Sequence, residues 1–338
     1  MITYTYDDSQ NLARVDYPDT TEKLYHYENP SYPNHLTGIS YRDTSGTITR
    51  SSSYVYDAQG KASRTEYAQT DNGTPQERLT FTYASETRTE ITDSISTKEI
   101  MRFEVNLGVR NLVAKVNQTD AKTLAQKFDG NNNLICRRDE EGRVTTYAYN
   151  ATNQRTARTE GLTGSCDSPT AIAGVTRSTT YQYLFPTRDL PTVISAASVA
   201  AGQNRRTIIQ YSDTANPSLP TIITQNGFTP DGSTISRTVA LGYNSAGQLK
   251  SVDGPRTDVA DILTLEYYEC THGADCGQLK KVANALGHVT TYDLYDAAGR
   301  VTQVTDPNGL ITNFSYDSRG RVRFVTQTPP AGAARVTE

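Results

Sequence analysis

An aromatic residue followed by Asp or Asn, and then by a turn, recurs seven times along this chain of 338 residues. The copies are Tyr6-Asp7, Tyr56-Asp57, Phe128-Asp129, Tyr149-Asn150, Tyr243-Asn244, Tyr295-Asp296 and Tyr316-Asp317. Phe128 and Tyr149 stand 21 positions apart, and so do Tyr295 and Tyr316. A fixed period of that size marks an array of small units, each of which buries its apolar face only against its neighbours. The chain therefore reads as a long scaffold rather than as a globule around one site.

The clearest unit runs from Asn284 through Gly287, Tyr292, Tyr295 and Asp296 to Gly299, Arg300 and Val301. The next carries Asp306, Gly309, Phe314, Tyr316, Asp317, Gly320 and Arg321, and a third carries Asp139, Gly142, Tyr147, Tyr149 and Asn150. Each holds Asp/Asn-x-x-Gly turns with a Thr- and Tyr-rich run between them; Asp57 to Gly60 and Asn244 to Gly247 are further copies. Asp or Asn at the first turn position accepts from the backbone two residues on, and Gly at the fourth takes the positive φ that follows a type I turn in a bulged hairpin. The intervening runs have strand length and are rich in β-formers, which predicts an all-β chain.

Aromatic pairs two apart support the same period. Tyr4/Tyr6, Tyr25/Tyr27, Tyr54/Tyr56, Phe81/Tyr83, Tyr147/Tyr149, Tyr181/Tyr183 and Phe314/Tyr316 each place two rings on one strand face. Side-by-side hairpins then align these rings along the sheet. Tyr292 and Tyr295 are three apart, which predicts a bulge there. With 22 Tyr and no Trp, tyrosine is the aromatic that builds this array.

Length alone would suggest two or three domains, but the repeats run from Tyr6 to Arg321 without an evident linker, so one continuous array over 1–338 is expected. It reads as a fragment of a longer chain. Net charge is −4, with no basic stripe to suggest nucleic acid and no acidic tail. No apolar run reaches membrane-spanning length, and Met1-Ile2-Thr3 opens into a strand rather than a signal peptide. The signature fades over about 69–125 and 160–240. Ile91–Met101 reads as one strand, Gly161–Gly174 as a loop insertion, and the Ala-rich Ile194–Gly202 as a short helical turn. Ser212–Pro220 and Asp253–Asp261 read as inter-strand loops, where binding residues tend to lie.

Candidate chemistry is sparse. Cys270 and Cys276 flank a short Gly-containing loop; a disulfide, free thiols, and a zinc site including His272 are the alternatives, with zinc spacing usually tighter. Cys136 and Cys166 pair only if the fold brings them together. Asp129, Asn131, Asn133 and Glu140 mimic a calcium loop, but Leu134 replaces its required Gly and the repeat turn accounts for the same residues. Asp306-Pro307-Asn308-Gly309 falls at the repeat's own turn, where Pro in the second place is favourable. His26, His35, His272 and His288 are scattered, and no nucleophile motif or carboxylate pair stands out. No catalytic residue, metal or cofactor is assigned.

The Tyr-Asp-x-x-Gly-Arg-Val unit with Gly-x-x-Thr-x-Tyr upstream resembles the YD repeat of the Rhs (rearrangement hot spot) proteins. Tyr25-His-Tyr-Glu-Asn-Pro30, Leu36-Thr-Gly-Ile39, Asn284–Tyr292 and Asp306–Leu310 are similar to the phrasing of bacterial Rhs toxin cores, and the resemblance covers roughly Tyr4 to Arg323. It implies a β-hairpin solenoid, a spiralling sheet forming part of a hollow shell around a C-terminal toxin of the same parent protein. Polymorphic toxins of type VI secretion, insecticidal toxin complexes and the teneurin barrels share such repeats. The implied function is a non-enzymatic encapsulating scaffold, secreted or injected into target cells, with self-association through unpaired sheet edges. The competing reading is an extracellular module binding carbohydrate or a cell surface through exposed tyrosines. The direction in which the aromatic pairs face discriminates the two.

Overall fold

The computed structural model describes residues 2–69, 75–186, 188–270, 273–317 and 320–337. Among them lie 28 strands, assigned to one sheet with antiparallel pairings, and no helix. Two compact units contain these strands: 1–81 together with 263–338, and 82–262. In both, most strands pair with the next one in the chain. The first unit opens with β1 (Thr3–Tyr6), β2 (Leu12–Asp16) and β3 (Glu22–His26), paired in sequence. The second contains the run β11 (Thr123–Phe128), β12 (Leu134–Arg138), β13 (Val144–Tyr149) and β14 (Arg155–Gly164), again each paired to the next.

The register slips by one residue immediately before each repeat aromatic. Lys127 pairs with Cys136 but Phe128 with Leu134, leaving Ile135 as the extra residue. Ala148 pairs with Ala157 and Tyr149 with Arg155, and Ser315 pairs with Phe324 and Tyr316 with Val322. One bulge per unit adds local right-handed twist at the same point of every hairpin. The uneven spacing of Tyr292 and Tyr295 has its own cause, a second bulge: Tyr292 pairs with Val304 and Leu294 with Gln303, so Asp293 is extra.

Turn chemistry explains where the repeat survives without its signature. Gly60 and Gly299 take φ of 76° and 77° in their turns, while Asn132 and Asn153 take 65° and 63° at the same place in theirs. Asn tolerates that region better than most side chains, which lets the turn persist without glycine. Ser96 does the same at 68°, so Ile91–Met101 is not one strand: β8 (Arg88–Asp93) turns through Asp93–Thr97 into β9 (Lys98–Asn106). Gly161–Gly174 is likewise no loop. Strand β14 runs through Gly164 and pairs with β15 (Pro169–Ala171), leaving only a short tip between them. Of the Ala-rich segment, Ile194–Ala197 is the end of β17 (Pro191–Ala197), held between β16 (Arg177–Tyr183) and β18 (Asn204–Gln210), where flanking ladders override a weak local preference, and 198–202 is the turn that follows. Segments 211–221 and 254–262 carry no strand.

There is little deep core. Val15, Ile100, Cys136, Val144, Leu162 and Ala200 are the buried apolar residues among those described. Cys136, Val144 and Leu162 form one cluster, with Cys166 packed against it. Most strand residues are half-buried, which fits the low apolar content and the abundance of Thr and Tyr.

Candidate functional site

The repeat motif resolves into two local devices. In the turn, the first residue's backbone N–H donates to the carbonyl four residues on, and the fourth residue's N–H donates back to the first carbonyl. Asp57 donates to Lys61 at 2.8 Å and Gly60 donates to Asp57 at 3.1 Å. One carboxylate oxygen then accepts two more backbone N–H groups: Asp57 Oδ1 from Gln59 and from Lys61, each at 2.9 Å. The pattern repeats at Asp7, Asp129, Asn150, Asn244 and Asp296.

The residue four positions on engages the remaining side-chain atom. Arg300 Nε donates to Asp296 Oδ2 at 2.6 Å, Arg321 Nε to Asp317 Oδ2 at 2.7 Å, and Arg143 Nε to Asp139 Oδ2 at 2.7 Å. In two turns that begin with Asn, the fifth residue is Gln: Asn150 Nδ2 donates to Gln154 Oε1 at 2.9 Å, and Asn244 Nδ2 to Gln248 Oε1 at 2.8 Å. In these turns donor faces acceptor, which explains the basic or amide residue at their fifth position. Hydrogen bonds from Asn133 hold the Asp129 carboxyl below its ordinary range. At Asp139, burial pushes upward, but the side-chain and backbone hydrogen bonds from Arg143, its charge and the Glu141 amide together outweigh it, and the carboxyl is lowered.

The second device is a tyrosine strut between units. Tyr149 donates its hydroxyl to the Leu134 carbonyl at 3.1 Å, Tyr183 to Arg155 at 2.8 Å, and Tyr211 to Pro191 at 3.1 Å. Leu134, Arg155 and Pro191 are the cross-strand partners of Phe128, Tyr149 and Tyr183. Each aromatic therefore satisfies a carbonyl beside the aromatic of the unit before it. Tyr295 to Leu279 and Tyr316 to Val301, both at 2.6 Å, follow the same rule. Tyr56 donates to Leu36 at 2.6 Å and Tyr243 to Pro220 at 2.9 Å. Burial raises the phenol pKa of Tyr56, Tyr149, Tyr183, Tyr211, Tyr243, Tyr295 and Tyr316. Tyr147, which shares a strand face with Tyr149, lies 6.0 Å from the Arg155 guanidinium. Tyr6 differs, standing 58% exposed on β1.

Five further motif glycines sit in the left-handed region: Gly142 at 84°, Gly247 at 78°, Gly287 at 78°, Gly309 at 81° and Gly320 at 78°. Asp306 Oδ1 accepts from Asn308 and Leu310, each at 2.8 Å, as any other turn of the array does. Asp129 Oδ2 accepts from Asn133 Nδ2 at 2.9 Å, and Glu140 lies in the following turn beside Lys115 at 3.8 Å, so the two carboxylates do not converge on one cation. His26 bonds Ser40 at 2.8 Å and burial lowers its pKa, His35 packs tilted against Tyr32 and edge-on to Tyr56, and His288 faces Asn284. His272 lies outside the described residues. No group of His, Cys, Asp and Glu among the described residues is arranged to hold a metal. Cys136–Cys166 and Cys270–Cys276 are disulfides, with Cα atoms 5.6 Å and 4.1 Å apart.

Two segments, 128–164 and 295–334, match the family model described as RHS Repeat. No curated protein matches the chain. Among solved structures it is similar to a TcdB2-TccC3-TEV crystal structure, at 11% identity and a TM-score of 0.49 over 99% of this chain and 20% of the other. It is also similar to the Photorhabdus luminescens Tc holotoxin pore, at 11% identity and a TM-score of 0.42 over 98% of this chain and 21% of the other. A porin-like protein from Bacteroides uniformis matches at 12% identity and a TM-score of 0.30, over 78% of this chain and 92% of the other. The chain spans about a fifth of the length of the toxin-complex chains it matches.

Proposed function

We propose that this Rhs-repeat chain is a non-enzymatic structural wall, one segment of a shell that encloses a toxin polypeptide of the same parent protein. The observation that carries the reading is the tyrosine strut. The repeat's hydroxyls are spent on neighbouring backbone carbonyls and its carboxylates on their own turns, so the motif residues build the array. Tyr6, Asp7 and the later motif residues through Gly320 and Arg321 are thus assigned a structural role, in one continuous array across 1–338. A wall of this kind serves a toxin by keeping it from proteases and from its producer until delivery, whether by secretion or by injection. Two disulfides suit an oxidising compartment on that route.

The carbohydrate-binding alternative has less to stand on. A sugar platform needs rings with a free face, and the repeat tyrosines are half-buried and bonded to the preceding unit, with Tyr4 and Tyr6 as exposed exceptions at 56% and 58%.

Limited proteolysis of the full natural reading frame tests the proposal. Protection of a downstream polypeptide until this region is opened is the expected result. Free digestion of that polypeptide while the repeat region survives overturns it.

A further inference from the structure

The second unit carries a basic cleft outside every repeat motif. It has a volume of about 900 Å³ and is lined by Arg177, Arg205, Arg206 and Arg237 together with Thr179, Thr207 and Gln225. No carboxylate lines it. Among the described residues none of these four arginines forms an ion pair, although the sheet holds many. Glu160 stands across from Arg177 in the ladder, but it is engaged by Arg158 at 2.5 Å.

Register places three of the guanidinium groups on one face. Thr179 pairs with Ala196 and Ala196 with Arg205, and Arg177 is two residues before Thr179. Thr207, two beyond Arg205, pairs with Gln225, and Gln225 pairs with Arg237 on β20 (Thr234–Tyr243). The three arginines thus step diagonally over β16, β18 and β20, each step crossing two strands and two residues. At ordinary strand and residue spacings a step is about 12 Å. An extended peptide covers that distance in three to four residues.

The geometry points to a docking surface for an extended acidic polypeptide segment with a carboxylate at every third or fourth residue. Each arginine offers a planar fork that matches a carboxylate. Thr179, Thr207 and Gln225 between them supply hydrogen-bonding groups for the peptide backbone. A nucleic acid fits less well: Phe228 is the one aromatic in the lining on which a base could stack. The surface stands whether or not the chain walls a cargo.

The test is fluorescence anisotropy of the whole chain with a labelled Ser/Gly peptide of about twelve residues bearing Glu at every fourth position. An isomer with its Glu residues clustered, and an oligothymidylate of similar length, are the comparisons. The expected result is binding that weakens at least tenfold in R177A/R205A/R237A and weakens again as salt rises from about 50 to about 300 mM. The spaced peptide is expected to bind more tightly than the clustered one. Unchanged affinity in the variant, no binding, or equal affinity for both peptides overturns the proposal. Preferential, arginine-dependent binding of the oligothymidylate overturns it in favour of a phosphate polymer. Should the triple variant lose its β-sheet circular dichroism, the single exposed change Arg205→Glu carries the same test.

Discussion

Arg300 donates to Asp19 at 2.9 Å across 281 positions of the chain, while its Nε holds Asp296 at 2.6 Å. The repeat's own arginine therefore does two things in the first unit: it completes its turn, and it ties a C-terminal hairpin to the turn between β2 and β3. Both partners are mostly buried, at 25% and 23% exposure, so the bond is screened less than a surface pair. Burial works to raise the Asp19 carboxyl, but the Thr21 hydroxyl and amide and the Arg300 guanidinium outweigh it and hold it below its ordinary value. A lowered carboxyl stabilises the fold above its ordinary pKa, and that contribution is lost as pH falls through the lowered one. A double-mutant cycle on D19A and R300A is expected to show a coupling of about 1 kcal/mol at neutral pH, shrinking in acid. A coupling that is absent at neutral pH would remove this tie from the fold.

The matched pairs at the first and fifth turn positions predict compensation. Asp139→Asn turns an amide donor toward the Arg143 guanidinium, which is itself a donor, in a turn that otherwise keeps its backbone bonds. The single change is expected to lower Tm by about 1–2 °C, and adding Arg143→Gln to recover most of the loss. Thermal melts of the three proteins decide it, since an additive double variant would show that the pairing carries no energy.

The struts predict an alkaline limit. Burial raises Tyr149, Tyr183 and Tyr211, so the folded state favours the neutral phenol. That stabilisation is complete below the ordinary tyrosine value of about 10 and is lost as pH rises from there through the raised values. Absorbance titration at alkaline pH should therefore show phenolate forming together with loss of sheet circular dichroism. Y149F leaves the Leu134 carbonyl without this donor and is expected to cost about 1 kcal/mol in urea unfolding. An unchanged midpoint would mean that water replaces the hydroxyl freely.

Strands and turns were legible because their causes are local: Asp or Asn at the turn's first place, a tolerant residue at its fourth, Thr and Tyr between. Legibility failed where a substitute performed the same local task, as Ser96 does in the turn after β8. It failed again at Ile194–Gly202, where the neighbouring strands decide the conformation. The pairing of Asp with Arg and Asn with Gln stood in the sequence as a correlation between two columns, at Asp296/Arg300 and Asn244/Gln248 for example. The struts were harder to see, because Tyr149 to Leu134 spans 15 residues and Tyr183 to Arg155 spans 28. Arg177, Arg205 and Arg237 lie where the motif is faintest, and only the ladder register brings them onto one face.

The last prediction concerns Cys136–Cys166, which joins β12 to the tip between β14 and β15 beside the cluster of Val144 and Leu162. The bond closes a loop over a sequence separation of 30, for which chain entropy gives about 3.5 kcal/mol. Cys270–Cys276 spans only 6 and constrains far less of the unfolded chain. C136S/C166S is therefore expected to lower the urea midpoint clearly more than C270S/C276S. Cys136 is only 2% exposed, so the serine also buries a hydroxyl in an apolar cluster. C136A/C166A separates that polar cost from the loss of the crosslink. If the alanine pair unfolds at the wild-type midpoint, the sheet ladders alone hold the hairpin tip, and the disulfide contributes nothing to stability.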